Sequence, residues 1–472
     1  MNTKPVFLII CLFLNASMFS QDLWDLNKCI DYALENNLDV KRQKLSEQQT
    51  YNNVRQSYAN VLPSVNGFAR HGYNYGRTID RFTNEFATER VMFQDFYTSS
   101  NLTIFAGFQN INNIRRNIAI NTAFKYDTER LKNDIILAIA AGYMQILYNR
   151  DIVDARREQL DVINQQVERT KILLEGGTVA RGALLEIEAQ AAEEEMLFIQ
   201  AKNNLTLSYL ELIHLLDLDP TDEFEIVTPE MEVDKSFALY SPEEVYERAL
   251  QTEPSIMGSK ERIIIAEREL AMARGMRSPS LSIGGNLGSG YSGAAQQVVD
   301  TEYTGSYREI GFVGETNQTV YSEIVQPVTE RKPYSDQITD NFNRMFVVNL
   351  QIPIFNRWET KTRVSNAAID LESARHNHQI YRNELNKTIQ QAHADAVAAL
   401  KQYEAATKSL EASKESFKHA EQRFNLGMIS PIEYNESKAR TTMAEATAIQ
   451  AMYDYVYRVK LLEFYLGKGF EL

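Results

Sequence analysis

Two stretches of this chain, from about Gly107 to Glu175 and from about Arg357 to Leu426, contain no proline, and Gly142 is the one glycine inside either. Each is about 70 residues, so as a helix at 1.5 Å per residue each would be roughly 100 Å long. An average helix has about 11–12 residues. Rods of this length do not fit inside an ordinary globular core, and they must bury their apolar stripe along one another. The second run carries Tyr403, Ala406, Leu410, Ser413, Phe417, Ala420 and Phe424, which alternate steps of three and four. That is the seam of a heptad repeat. Two hundred and fifty residues earlier the same positions read Val153, Arg156, Leu160, Ile163, Val167, Thr170 and Leu174. Only Arg156 breaks the pattern, so the two runs share one register.

The rest of the chain repeats as well. Ala249-Leu250 follows Ala33-Leu34 at an offset of 216, and Pro279 follows Pro63 at the same offset. Phe355 follows Phe105, Gly427 follows Gly177, and Leu466 follows Leu216, all at 250. The offset changes by 34 residues, and only between two stretches of alternating residues. A duplication with one insertion in a loop accounts for this. Each half reads short helix, helix, β-hairpin, very long helix, glycine turn and shorter helix. Helices are expected from near Leu23, over Asp39 to Asn60, and over Pro254 to Met276. After the glycine turns they are expected over Thr178 to Leu216 and Pro431 to Leu466. Ser241-Pro242-Glu243-Glu244 supplies a helix start with Ser as N-cap and Pro at the first position.

The alternating stretches predict strands. Val65 to Gly76 and Phe93 to Phe105 form the first pair. Leu281 to Tyr291 and Phe342 to Ile352 form the second. The polar stretch between the second pair, about Ser292 to Asp340, reads as a long external loop. Strands of about 10–13 residues are long enough to cross an outer membrane. Four strands are too few for a closed barrel, whose smallest members have about eight, and lipid does not tolerate open edges. Several copies must therefore contribute hairpins to one barrel.

Bulk properties narrow the class. A net charge of −14 argues against nucleic acid as a partner. The N-terminus combines Lys4, an apolar run from Val6 to Leu14 and small or polar residues to Ser20, which reads as a secretory signal peptide cleaved near Ser20. Cys11 falls within it, leaving Cys29 alone, so no intrachain disulfide is expected.

On these features together, the chain resembles the TolC-type outer-membrane efflux proteins over nearly its whole mature length. The features that carry the resemblance are the duplicated unit, Ala33-Leu34-Glu35-Asn36-Asn37, Leu62-Pro63-Ser64 and Ser278-Pro279-Ser280 before the hairpins, Ile354-Phe355 after the second, and the glycine turns. The resemblance implies a mainly α fold with β. Residues 21–240 and 241–472 would be two efflux repeats, with hairpins at about 63–105 and 279–355 and long helices at about 107–175 and 357–426. It implies a homotrimer in which four strands per protomer build a transmembrane β-barrel continued by an α-helical barrel across the periplasm. Such a duct consumes no energy. It exports small molecules, metals or proteins, working with a periplasmic adaptor and an inner-membrane pump, in contact with outer-membrane lipid.

By the same resemblance, Gly176-Gly177-Thr178 and Leu426-Gly427-Met428 form periplasmic tips that meet the adaptor. Glycine in those turns suits helix C-caps. Glu433 and Glu436 stand where the resembled channel carries two aspartates at its entrance. At spacing i, i+3 they share one helix face, and three copies would make a six-carboxylate ring that attracts cations. Glu433 has a second reading, as the carboxylate of a Ser430-Pro431-Ile432-Glu433 capping box. The first-half equivalents are Ala183 and Glu186, so the constriction would be asymmetric.

No catalytic constellation, cofactor motif or metal site stands out. His376 and His378 lie two apart on a helix and diverge. Asp217, Asp219 and Asp222 lack the glycine of a calcium loop. Gly176, Gly177 and Gly182 lack the Gly-Lys-Ser/Thr of a phosphate loop, and Glu193-Glu194-Glu195 reads as a solvated face. The competing readings are a structural coiled-coil scaffold or adhesin and a secreted enzyme with a helical insert. The paired hairpins at matched offsets weigh against the first.

Overall fold

The structure is a computed structural model that describes residues 23–87, 90–219, 224–229 and 240–470. The expected signal peptide, Asp222 and most of the linker between the repeats lie outside the described residues. Nine helices and eight strands are described.

The duplication is visible in the helix lengths. Helices α1 (Leu26–Asn36) and α5 (Pro242–Thr252) have 11 residues each, and α2 (Leu38–Ala59) and α6 (Pro254–Gly275) have 22 each. The long helices α3 (Gln109–Glu175) and α8 (Glu359–Asn425) have 67 each, and α4 (Arg181–Leu215) and α9 (Pro431–Tyr465) have 35 each. The expected boundaries hold to within three residues.

The chain divides into two compact units. The helical unit holds residues 23–50, 119–263 and 373–470. Its heptad seams behave as the spacing requires. Val153, Ile163, Val167 and Ala406 are buried and the remaining seam positions are half-buried, while most positions between them are exposed. Arg156 is accommodated at its seam position because its guanidinium meets Glu194 of α4 at 3.4 Å. This corrects the reading of Glu193-Glu194-Glu195: Glu193 and Glu195 are solvated, but Glu194 is turned inward as the partner of Arg156.

Two apolar clusters form the core of this unit. In one, Leu26, Cys29 and Ala33 of α1 pack on Ile139, Tyr143 and Leu147 of α3 and Leu212 of α4. In the other, Val245 and Ala249 of α5 pack on Ile389 and Ala396 of α8 and Leu462 of α9. Each short helix thus seats on the long and shorter helices of its own half. Burial pushes the Cys29 thiol up to about 12, so it is an inert packing group. A short parallel bridge joins Trp24 to Ile226, and the Tyr143 hydroxyl donates to the carbonyls of Val227 (2.6 Å) and Trp24 (3.2 Å).

The second unit holds residues 51–118 and 264–372. Strands β1 (Ser64–Asn74), β4 (Val91–Ala106), β5 (Ser280–Ser292) and β8 (Asn343–Gln351) form one antiparallel sheet in the order β1-β4-β5-β8. The four expected strands are therefore present. The inserted stretch is not the loop that its polarity suggested. It forms a second hairpin, β6 (Gln296–Phe312) and β7 (Thr319–Arg331), followed by the short helix α7 (Tyr334–Asp340). Three register irregularities, at Val298/Asp300, Tyr303/Tyr307 and Glu309/Gly311, break the period-two pattern that would have disclosed it. The shorter first loop carries a two-residue hairpin, β2 (Thr78–Ile79) with β3 (Phe86–Ala87).

Candidate functional site

The pairing register assigns every strand residue to one face of the sheet. One face carries Asn66, Arg70, Asp95, Ser99, Asn101, Ser282, Asn286, Asn343 and Asn349, with Phe68, Phe93, Tyr97, Met345 and Val347 among them. The other carries Val65, Tyr73, Phe96, Leu102, Leu281, Ile283, Leu287, Phe346, Val348 and Leu350. This second face is mainly apolar, with His71, Gln94, Thr98, Ser100 and Arg344 interspersed, and it is open to the outside: Val65 is 67 % exposed, Phe346 71 % and Leu350 63 %. A sheet with an open apolar face opposite a more polar one is suited to lipid on one side and water on the other. Among the described residues the outer strands β1 and β8 have no partner on their far sides. Among the described residues no helix is long and apolar enough to cross a membrane.

The polar face is elaborated at the end bearing the loops. The Asp95 carboxylate, almost wholly buried, lies 3.3 Å from Arg70 and 3.6 Å from Arg81. Asp80 accepts from the backbone N–H groups of Phe82 and Thr83 and from the Ser292 hydroxyl at 2.6 Å. The Phe82 ring fills the space over Gly290, where a Cβ would come within 2.2 Å of it. Gln337 of α7, buried, accepts from Ser292 N–H and donates to the Ser292 carbonyl. The first loop is therefore folded onto the polar face, beside a cavity of about 600 Å³ lined by Arg70, Arg81, Asp95, Tyr97, Asn286 and Asn343, while α7 lies along β5 with Tyr334 packed on Tyr291 of the opposite face. Sequence reading missed this cluster, since partners 212 residues apart such as Asp80 and Ser292 leave no local signal.

In the helical unit the glycine turns have the expected geometry. Gly177 has φ +74° and Gly427 φ +69°. Thr178 N–H donates to the Leu173 carbonyl and Gly177 N–H to that of Leu174. Met428 and Gly427 do the same to Arg423 and Phe424. Both turns are Schellman motifs, which satisfy the last carbonyls of each long helix. Gly176, Leu426 and Met428 are exposed. In the second turn the Tyr434 ring is buried and stacks on Phe424 at 4.6 Å, with Phe417 at 5.4 Å, so α8 and α9 are pinned close to their junction. The first-half counterparts Val167, Leu174 and Leu184 are aliphatic.

Glu433 and Glu436 lie on the first two turns of α9, and both are exposed. The Ser430 hydroxyl accepts from Glu433 N–H at 3.2 Å. No reciprocal bond from the Glu433 carboxylate to Ser430 N–H occurs among the described residues. The cap is therefore made by serine, and the Glu433 carboxylate is left to solvent. Glu436 borders a groove between α3, α4 and α9 that also takes in Arg156, Gln190, Glu193, Glu194 and Lys438; Glu433 does not line it. Lys438 was not singled out in the sequence. It is 5 % exposed and its Nζ has no hydrogen-bond partner among the described residues. Burial pulls its ammonium down to about 8, against the opposing pull of Glu194 and Glu421.

Of the two histidines of α8, His376 is exposed and His378 half-buried. His378 Nδ1 lies 2.7 Å from the Ser259 hydroxyl, and burial, with Arg382 and Lys260 nearby, lowers its pKa. Among the described residues no group of three metal-ligating side chains assembles. Asp217 has a structural role. At φ +54° it takes the glycine-like place at the end of α4, and its carboxylate accepts from Leu38 N–H at 2.9 Å.

With this geometry in place, comparison with known families is decisive. The model of the outer membrane efflux protein family matches residues 29–217 and 245–468. The chain belongs to that family. The family is one of channel proteins. Among solved structures, the chain is similar to the CmeC outer membrane channel of Campylobacter jejuni, with a TM-score of 0.74, 19 % identity and coverage of 94 % of this chain and 86 % of that one. It is also similar to the Vibrio cholerae outer membrane protein VceC (TM-score 0.69, 13 % identity, 94 % and 97 % covered). The open state of the Neisseria gonorrhoeae MtrE outer membrane channel gives a TM-score of 0.68 at 15 % identity, with 94 % and 89 % covered. At these identities the likeness is one of fold. Comparison with curated protein sequences finds no match.

Proposed function

We propose that this efflux protein is the outer-membrane exit duct of a tripartite export or type I secretion assembly. The observation that carries the proposal is the four-stranded sheet with an exposed apolar face, a more polar face and two edge strands unpaired among the described residues. Edges of this kind are closed in lipid only by further strands. Three copies, each giving four strands, make a twelve-stranded barrel with the polar faces around the lumen. The two repeats, 21–240 and 241–472, then supply the helices of a periplasmic tunnel. Cargo passes down its gradient from a pump and adaptor, and the duct itself does no work.

In this reading the turns at Gly176-Gly177-Thr178 and Leu426-Gly427-Met428 are the tips that meet the adaptor, with Leu426 and Met428 offering apolar contact. Glu433 and Glu436 ring the entrance and favour cations there. The exposed carboxylate of Glu433, relieved of capping duty, supports that role. The hairpin Gln296–Arg331 lies outside the cell. Mass determination of the detergent-extracted protein, with heat-modifiable migration of outer-membrane fractions, tests the assembly. A heat-dissociable trimer is expected. A soluble monomer, or a trimer found only in the soluble fraction, would replace the duct with a helical scaffold.

A further inference from the structure

Beyond one end of the sheet exposed cations outnumber carboxylates. Ala106, Ser280 and Gln351 are register partners across β4, β5 and β8, so three segments of chain leave the sheet side by side. Just past β4, Phe108 is 67 % exposed; just past β8, Phe355 is 74 % exposed and Trp358 60 %. The two turns share a backbone device. Gly107 and Phe108 take φ +61° and +60°, and Arg357 and Trp358 take +54° and +66°. Left-handed backbone is strained for bulky residues. Here it recurs at both junctions, and both times it presents an aromatic ring to the outside.

The same segments carry cations. Arg115 follows in α3, Arg274 and Arg277 end α6, and Arg357 and Lys361 open α8, all of them exposed. The start of α3 and the end of α6 touch, since a Cβ on Gly107 would lie 2.2 Å from the Gly275 carbonyl oxygen. Lys361 Nζ sits 3.9 Å from the centre of the Trp358 ring. The neighbouring cations Arg116 and Arg363 are paired with Glu269 and Glu359. The other five have no carboxylate partner among the described residues. In a chain of net charge −14, five exposed cations without a carboxylate partner among the described residues, on the three segments that leave one end of the sheet together with exposed Trp and Phe, have the pattern of a membrane–water boundary. Basic side chains at that depth meet lipid phosphates.

We propose that this end of the sheet, where Phe108, Trp358 and Lys361 lie with Arg274, Arg277 and Arg357, is a binding belt for the headgroups of anionic phospholipids in the adjoining leaflet. The proposal rests on the duct reading, because the sheet must lie in a membrane for the belt to meet a leaflet. The aromatic rings set the depth and the cations select the charge.

The test uses the full mature protein in vesicles of phosphatidylethanolamine alone or mixed with phosphatidylglycerol. Co-purifying lipid is counted by native mass spectrometry, and channel conductance is recorded on the same preparation. Enrichment of phosphatidylglycerol on the order of ten-fold is expected. The variant R274Q/R277Q/R357G/K361Q should lose that enrichment and keep conductance. R357G places at position 357 the glycine that the first repeat carries at 107, so the turn is eased rather than strained. In a W24F background, Trp358 is the one remaining tryptophan, and its emission should respond to phosphatidylglycerol. Loss of the emission response in K361Q alone provides a second, milder readout. Conductance without phosphatidylglycerol enrichment, or enrichment that survives the quadruple variant, overturns the belt and leaves the duct intact. Displacement of the lipid by inorganic phosphate would make this a phosphate site and overturn the lipid assignment. Absence of conductance in every preparation would overturn the duct reading itself.

Discussion

Lys438 offers the sharpest quantitative prediction. Its ammonium is buried on α9 without a hydrogen-bond partner among the described residues. The charged groups around it are Glu194 of α4, Glu421 of α8 and, across the same groove, Arg156 of α3, which is already paired with Glu194. Burial lowers its pKa from 10.5 to about 8. Between those two values the unfolded chain holds a proton that the folded chain has lost. Stability therefore rises with pH across that window and is lost again as pH falls through the folded value. At about 1.4 kcal/mol per pKa unit, the penalty carried near neutral pH is about 3 kcal/mol. Replacing the ammonium by an apolar chain of similar length removes it. K438M should raise the apparent melting midpoint near neutral pH by about 3 °C for a chain of this size. The gain should shrink toward zero as pH approaches the pKa of an ordinary lysine. Circular dichroism melts of both proteins in one detergent, at several pH values, read the difference directly. A K438M protein less stable at neutral pH, or a gain that does not change with pH, would refute the account of Lys438 as a buried, unpaired charge.

Further predictions follow from the turns, the entrance and the inserted hairpin. G427A should cost about 1 kcal/mol or more, read as a lower melting midpoint; nothing lies within 4 Å of the added Cβ, so backbone strain at φ +69° is the whole effect. E436A with E433Q should raise single-channel conductance and weaken block by divalent cations, and unchanged conductance and block would remove both residues from the entrance. Protease added to intact cells with an accessible surface should cut between Gln296 and Arg331, and an uncut hairpin would count against its external position.

The long-range plan of the molecule was legible because it is written in periods and offsets. The proline-free runs, the shared heptad register and the 216- and 250-residue offsets gave the helices α1 to α6, α8 and α9 and all four strands of the main sheet. The seam at Tyr403, Ala406 and Leu410 is inward-facing as its spacing requires. What escaped was non-periodic. The hairpin of β6 and β7 was hidden by bulges that shift its alternation. The bond between Asp80 and Ser292 joins loops that approach only in the folded sheet. Glu194 looked solvated within a run of three carboxylates, because nothing local marks its partner Arg156. Lys438 was passed over for a related reason: a lone lysine on a helix is ordinarily exposed, and only the packing of α3, α4 and α9 buries it.

The most direct test of the duct is planar-bilayer recording of the detergent-extracted mature protein, with its mass in detergent determined on the same sample. A trimer with discrete, cation-favouring conductance is the predicted result. A monomer that leaves the bilayer silent would contradict it, because the exposed apolar face of the sheet would then have to be covered by something other than lipid.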